Sequence, residues 1–342
     1  MKYIKIIAIA TLLTMGILCA SEGRLSGTVY SDYYWVAGNH DSYIEGSNGF
    51  WFRRIYLTFD KGLDVNFAVR FRLEMASPGD FTSSSKLTPA VKDAWLKWTH
   101  NKHNIIVGIS GTPTFGVIEK YWGYRSVEKT PLDLHKFGTS RDFGIAFKGN
   151  LDHNNRIGYH LMLANGNSNN SETNSGKKIL FALSGKFPSG FTVESYADYE
   201  KRPGHTSCYT LQAFIGYMNK NFRAGLQIAH QNRQMELEAD DLQLRIASVF
   251  AAGKICKKTW LFARFDRLFE PNPSGAEISY LPFDPSAKAN FFLAGLDFHV
   301  AENVQIIPNV EMIYYDEMAG DHLLTDIIPR ITLAYNWKNS DK

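Results

Sequence analysis

Residues 65–75 read Val65-Asn-Phe-Ala-Val-Arg-Phe-Arg-Leu-Glu-Met75. Every odd position is apolar, and the polar residues at even positions are Asn66, Arg70, Arg72 and Glu74. A hydrophobic period of two predicts a β-strand with one apolar and one polar face. The run 52–60 alternates in the same way, so residues 61–63 are predicted to join the two strands as a tight hairpin turn.

The same alternation continues from Arg24 to Trp337 and predicts sixteen strands. Their predicted bounds are 24–36, 50–60, 64–76, 90–99, 104–110, 142–149, 156–164, 178–186, 190–200, 207–218, 221–231, 241–252, 257–268, 289–300, 303–315 and 325–337. Strands of about 10 residues suit a tilted membrane crossing. Short turns alternate with long polar loops, as in outer-membrane barrels. We therefore predict an all-β, 16-stranded antiparallel transmembrane β-barrel with an apolar outer band and a wet interior.

The longest irregular connection, 111–141, would be the third external loop. Loops longer than about 15 residues without their own secondary structure are usually functional. This one carries five aromatic residues, Phe115, Tyr121, Trp122, Tyr124 and Phe137. Because so many aromatic side chains are unfavourable in water, the loop is predicted to fold inward and narrow the lumen.

The N-terminus predicts export. Residues 1–21 combine Lys2 and Lys5 with a short apolar run and small residues at its end, as in a removable signal peptide. The barrel domain would then be 22–342. Loss of the two lysines lowers the 37 basic residues to 35 against 34 acidic ones, a net charge of +1. The mature chain would be nearly neutral.

Five segments resemble the phosphate-selective porin O and P family of outer-membrane proteins. They are FRRIYLTFD (52–60), RFRLE (70–74), VKDAWLKW (91–98), VGISGTPTFGVIE (107–119) and SRDFGIAFKG (140–149). The resemblance implies a sixteen-stranded barrel, usually a trimer, whose third loop constricts the pore and whose lumenal bases attract anions. The sequence departs from the family pattern where Lys338–Lys342 follow the last aromatic residue, Trp337.

Alternation also predicts which basic side chains line the pore. The candidate anion-binding residues are Arg54, Arg70, Arg72, Lys97, Lys120, Arg125, Lys129, Arg141, Arg245 and Arg264. A hairpin that pairs Asp60 with Asp64 would place Arg54 opposite Arg70. Like charges opposed on one sheet face are destabilising, so either an anion or a neighbouring acid (Asp60, Glu74 or Asp93) must compensate them. The loop bases either line the constriction or belong to a solvated surface.

No metal-ligand, nucleophile-elbow or phosphate-loop motif is present in the sequence. We therefore predict no catalytic residues, no metal and no cofactor. The predicted function is passive diffusion of small hydrophilic solutes, weakly anion-preferring and with phosphate as one candidate, across the bacterial outer membrane. The expected partners are the lipid bilayer, small anions and two further copies in a homotrimer, with no nucleic acid. The alternatives are an outer-membrane barrel enzyme and a secreted β-rich adhesin or lectin without a pore.

Overall fold

The computed structural model describes residues 23–77, 81, 84, 86–236, 240–317 and 323–339. The predicted signal peptide, 1–21, lies outside these ranges. Sixteen strands form one closed antiparallel barrel in which β1 pairs with β16. The strands are β1 (Arg24–Trp35), β2 (Asn48–Gly62), β3 (Phe67–Met75), β4 (Ala90–His100), β5 (His103–Gly111), β6 (Arg141–Asn150), β7 (Ile157–Ala164), β8 (Lys177–Lys186), β9 (Phe191–Lys201), β10 (Cys208–Met218), β11 (Phe222–Arg233), β12 (Leu242–Cys256), β13 (Thr259–Leu268), β14 (Ala289–Ala301), β15 (Val304–Tyr315) and β16 (Asp326–Lys338). The predicted fold class is confirmed.

The outer face of the barrel is apolar. Leucine, isoleucine, valine and phenylalanine side chains alternate along the strands and remain exposed, among them Leu57, Phe71, Leu96, Val107, Phe181, Leu226, Val249 and Leu333. Trp35, Trp98 and Trp337 are exposed near strand ends. Trp51 donates a hydrogen bond from Nε1 to the buried Asp32 instead, so it does not belong to the outer aromatic belt. In the described ranges, no helix is long and apolar enough to cross a membrane.

The first hairpin has a different register from the predicted one. Asp60 pairs with Arg70 and Thr58 pairs with Arg72, so the predicted pairing of Arg54 with Arg70 is wrong. The turn lies at 63–66, where the Asp64 carboxylate accepts hydrogen bonds from the backbone N–H groups of Asn66 and Phe67. Because this Asp64 turn adds residues to the connection, strand β3 begins at Phe67, later than predicted.

Two β-bulges interrupt the alternation beside this hairpin. The register between β1 and β2 shifts at Tyr30/Ser31 and skips Arg53, and the register between β3 and β4 shifts at Arg72/Leu73 and skips Lys92. A bulge leaves one residue without a partner and turns its side chain out of the regular alternation. Arg53 and Arg54 therefore both point to the inner face, where each contacts an acid.

The segment 112–140 contains two short helices, α1 (Gly116–Trp122) and α2 (Pro131–Leu134). It connects β5 to β6, but its side chains contact distant strands. Trp122 packs edge-to-face on Phe250 and Phe262, and Tyr124 stacks on Phe262 at 4.0 Å. A second segment, 269–288, adds Ile278, Leu281 and Phe283 to the same buried cluster. One side of the barrel interior is thus a packed apolar core, and the polar cavities of the predicted wet interior occupy only part of it.

Candidate functional site

Three cavities lie along β1–β4 and β16, and the upper one borders the apolar core through Ile278. The upper cavity, about 220 Å³, lies near the strand ends that carry the long connections and is bordered by Trp51, Arg53 and Tyr280. The central cavity, about 250 Å³, lies between Tyr30, Tyr56 and segment 112–140. The lower cavity, about 390 Å³, reaches Arg24 and Trp337 near the short turns. The central and lower cavities share lining residues, including Tyr30 and Arg125, and form one polar path. The upper cavity shares no lining residue with either of them.

The central cavity is lined by hydroxyl and charged groups. The hydroxyl groups belong to Ser26, Thr28, Tyr30, Tyr56, Thr58 and Ser140. The charged groups are Arg72, Lys92, Arg125 and Arg141, with Glu119 and Asp133. Such a surface offers a hydrated solute many hydrogen-bonding partners in place of the water it loses.

Two carboxylates next to the central cavity are each shared by two bases. Glu74 accepts contacts from Arg54 Nε at 2.7 Å and from Lys92 Nζ at 2.8 Å. Asp93 contacts Arg72 NH1 at 3.2 Å and Arg141 Nε at 2.5 Å. These six groups alone carry two more positive than negative charges.

Arg70 is compensated by a single acid. Its guanidinium binds the Asp60 carboxylate through Nε at 2.7 Å and NH2 at 3.0 Å, a bidentate pair. The predicted opposition of two arginines on this hairpin therefore does not occur. Asp60 balances Arg70, and Arg24 contacts the same carboxylate at 3.4 Å.

Segment 112–140 contributes Arg125 and Lys129. Arg125 NH2 lies 3.7 Å from Asp133, and Tyr56 and Asp133 raise its pKa against the opposing effect of burial. Lys129 is only 8% exposed and lines the upper cavity. Burial lowers the pKa of its amine to about 8, and the Arg54 charge adds to that effect while Asp133 and Glu128 oppose it. Within the described chain, Lys129 Nζ has no hydrogen-bond or ion-pair partner, and it lies 5.1 Å from the centre of the Tyr280 ring.

The other predicted bases are not at this site. Lys97 lies on β4 with no acidic partner among the described residues, and Lys120 is exposed on α1. Arg264 is fully buried: it pairs with Asp266, donates to the Lys129 carbonyl and lies against the Trp122 ring. It anchors segment 112–140 and does not face a cavity.

Arg245 lies on the outer face, so its predicted pore-lining position is wrong. Its guanidinium pairs with Glu270 and its side chain is 62% exposed. On β12 the apolar residues Leu244, Ile246 and Phe250 are the buried ones, because this strand packs against the apolar core. Its apolar face therefore points inward, the reverse of the usual porin pattern.

Three residues of the site were not predicted from the sequence: Arg53, Lys92 and Tyr280. Arg53 and Lys92 sit at bulges that simple alternation does not detect; two consecutive polar residues in an alternating strand were the available signal. Tyr280 lies in the second inner segment, where its hydroxyl donates to Glu128 Oε1 at 2.7 Å. Its position depends on a distant segment and has no local sequence signal.

A buried network fixes segment 112–140 to the wall beside the upper cavity. Arg53 contacts Asp32 at 2.5 Å and donates to the Ser126 carbonyl, with Glu128 at 3.7 Å. Arg330 donates to the Tyr280 carbonyl at 2.9 Å. Burial raises the pKa of Glu128, but the charges of Arg53, Lys129 and Arg330 outweigh it and lower the pKa. The network ties both inner segments to β1, β2 and β16.

The described residues include three His–Asp pairs, of which one, His299 with Asp297 at 3.0 Å, lies within β14. His135 and Asp266 are almost completely buried, 3.2 Å apart, with the His135 ring against Phe283. His40 ties the connection 36–47 to Asp326 of β16, and Tyr315 donates to the same carboxylate. Across the residues that the structure describes, no cluster of His, Cys, Asp and Glu could hold a metal ion.

Solved structures that are similar to this chain include bacterial outer-membrane proteins. An anion-selective porin from Comamonas acidovorans has a TM-score of 0.67 at 11% identity, over 92% of this chain and 99% of that chain. OmpF of Salmonella typhi, in a complex with daunomycin, has a TM-score of 0.65 at 14% identity, over 93% and 98%. A trimer form of OmpT, an outer-membrane protein of Vibrio cholerae, has a TM-score of 0.62 at 10% identity, over 93% and 100%. No protein-family model and no curated protein sequence matches the chain.

Proposed function

We propose that the protein is an outer-membrane channel for passive diffusion of small hydrophilic solutes, with a weak preference for anions. The observation that carries the proposal is the sharing of Glu74 and Asp93 by four bases along the polar path. Charged groups on a pore wall raise the local concentration of counter-ions.

The preference is expected to be weak. Glu119 and Asp133 also line the central cavity and face Arg125, so the positive excess over the whole cluster is small. Screening further limits each charge to about 8–10 Å at physiological salt. Phosphate is one candidate solute, since guanidinium groups match its oxygens, and membership of the phosphate-selective porin O and P family remains a prediction.

Segment 112–140 sets the size limit in this proposal. Its aromatic side chains contact the strands opposite its own attachment, and its polar side borders the central cavity through Glu119, Arg125 and Asp133. The remaining path runs between this segment and strands β1–β4. Solutes would therefore pass a narrow polar constriction on one side of the barrel.

The apolar outer face supports a membrane location and argues against a secreted adhesin or lectin. Soluble monomers rarely expose a continuous apolar surface of this extent, whereas a closed barrel satisfies every strand hydrogen bond within lipid. The Salmonella OmpF and Comamonas porin folds support the same assignment. A homotrimer is part of the proposal, since one structure with this fold is described as a trimer, and chemical cross-linking of the detergent-extracted protein tests it.

An enzymatic function is not proposed. His40 and His135 tie connections to the wall, and the Comamonas acidovorans structure with this fold is described as a porin.

Planar bilayer recordings test the channel and its charge preference. The refolded protein should give stepwise current increments and a reversal potential on the anion side in a KCl gradient. Replacing Lys92 and Arg141 by glutamine should move that potential toward cations. The matched control replaces Asp60 by asparagine and Arg70 by glutamine, which removes a balanced pair and should leave the potential unchanged. An absence of current steps, or equal potentials for both double variants, contradicts the proposal.

A further inference from the structure

The upper cavity contains a lysine amine that has no ion-pair partner among the described residues. Lys129 is 8% exposed, and Nζ finds no acid or hydrogen-bond acceptor among the described residues. Burial of an unpaired charge is unfavourable, so the arrangement is incomplete as it stands. An anionic group in the adjoining space would supply the missing partner.

Further positive charge surrounds the same space. Lys136, also without an ion-pair partner in the part of the chain described, lines the cavity with Arg53 and Arg54. Arg53 is held by Asp32 and Arg54 by Glu74. The one acid in the lining is Glu277. Two unpaired lysines against one carboxylate leave a positive cavity that favours an anion.

Aromatic rings form the other part of the cavity lining. Trp51 stacks on Tyr34 at 4.1 Å and is held by its hydrogen bond to Asp32. Tyr280 is fixed through its hydroxyl to Glu128. Both rings line the cavity beside Lys129. Rigid aromatic surfaces favour a solute with a flat ring, because ring–ring contacts are favourable beyond the area they bury.

We propose that the upper cavity binds small organic anions that carry a flat ring, with the anionic group at Lys129 and Lys136 and the ring against Trp51 and Tyr280. The proposal rests on the proposed channel function and specifies its solutes. The site lies above the central cavity, on the side of the long connections, so a bound anion would be positioned to enter the constriction and, at high concentration, would block the current.

Phenyl phosphate is a suitable probe, with inorganic phosphate and benzyl alcohol as partial probes that lack the ring or the charge. In bilayer recordings, phenyl phosphate should half-block the current at a concentration about fivefold below that of inorganic phosphate, given the strength of aromatic contacts. Benzyl alcohol should not block at these concentrations.

Two substitutions separate the contribution of the charge from that of the aromatic ring. Lys129→Met should raise the half-blocking concentration of both phosphates by about tenfold, as expected for loss of a charged hydrogen bond. Trp51→Leu should remove the advantage of phenyl phosphate and leave inorganic phosphate unchanged. The matched controls are Lys257→Met, in an exposed short turn, and Trp98→Leu, on the outer face; neither should alter the block.

Calorimetric titration of the detergent-solubilised protein measures the same binding without any current. Equal half-blocking concentrations for the two phosphates, or a Lys129→Met variant that binds both normally, overturn the proposal. If the protein conducts anions but phenyl phosphate blocks no better than inorganic phosphate, the proposed binding site is wrong and the proposed channel function is retained. If no current is seen but calorimetry detects phenyl phosphate binding that depends on Lys129, the proposed channel function is wrong and the proposed binding site is retained.

Discussion

At the residue scale, the unusual feature is a cluster of charges whose compensation differs from one side chain to the next. Arg70 forms a bidentate pair with Asp60, which Arg24 also contacts at 3.4 Å. Glu74 and Asp93 beside the central cavity each serve two bases at 2.5–3.2 Å. Arg53 is buried with two acids, and Lys129 is buried with none in contact. Substitutions at these side chains should therefore have different effects. Loss of some side chains should lower the stability of the barrel, whereas loss of others should change the charge along the path.

Arg53→Met should destabilise the barrel by about 3–5 kcal/mol, because it leaves Asp32 and Glu128 buried without their cation. Arg70→Met is the matched control. Its ion pair with Asp60 is partly exposed, so the expected cost is at most about 1 kcal/mol. Urea unfolding followed by tryptophan fluorescence measures both. Equal unfolding free energies for the two variants would show that the buried network is not important for stability.

Lys129 should make the charge preference depend on pH. Its pKa of about 8 means that the amine is charged at pH 7 and neutral at pH 9, so anion preference should fall as the pH rises through 8. Reversal potentials recorded between pH 6.5 and pH 9.5 measure this step. In Lys129→Met the step should be absent; a step of unchanged size in that variant would assign the titration to another group.

At the element scale, the strands were predictable and their irregularities were not. Alternation located all sixteen strands, because each has one face toward the exposed apolar surface and one toward the interior. Alternation did not predict the bulges at Arg53 and Lys92 or the position of the Asp64 turn. It also assigned the wrong face of β12 to the interior. The two bulges and the turn depend on local backbone hydrogen bonding, which alternation does not report. The β12 failure has a tertiary cause, since its inward apolar face is explained only by the aromatic residues of segment 112–140.

The packing of that segment predicts the effect of Trp122→Ala. The Trp122 ring is fully buried against Phe250 and Phe262, and its Nε1 donates to the Glu128 carbonyl. Its loss should cost about 3–5 kcal/mol and loosen segment 112–140, giving a larger and noisier single-channel conductance. Lys120→Ala, on the exposed side of the same helix, is the control. A Trp122→Ala channel with wild-type conductance would show that the segment does not set the size limit.

At the scale of the whole molecule, the interior is divided. One side is a packed core formed by two inner segments and strands β10–β16, and the other side carries the polar path along β1–β4. Composition could not reveal this division, because apolar residues such as Ile246 and Phe291 look alike in sequence whether they face outward or fill the interior. The aromatic residues of 112–140 were the basis for predicting an inward-folded loop, whereas Tyr280 and its segment carry no comparable signal.

The division also explains how a nearly neutral chain could prefer one sign of charge. Balanced pairs such as Arg264–Asp266 lie in the core, where they contact no solute. The shared carboxylates Glu74 and Asp93 lie beside the path. Net charge over the whole chain is therefore a poor guide to selectivity, and the few groups along the path should determine it.

The reversal potential of the wild-type channel in a tenfold KCl gradient at pH 7 tests this conclusion most directly. We expect a potential displaced toward the chloride equilibrium value, by less than an ideal anion channel would show. A reversal potential at zero, or one displaced toward potassium, would contradict an anion-preferring path.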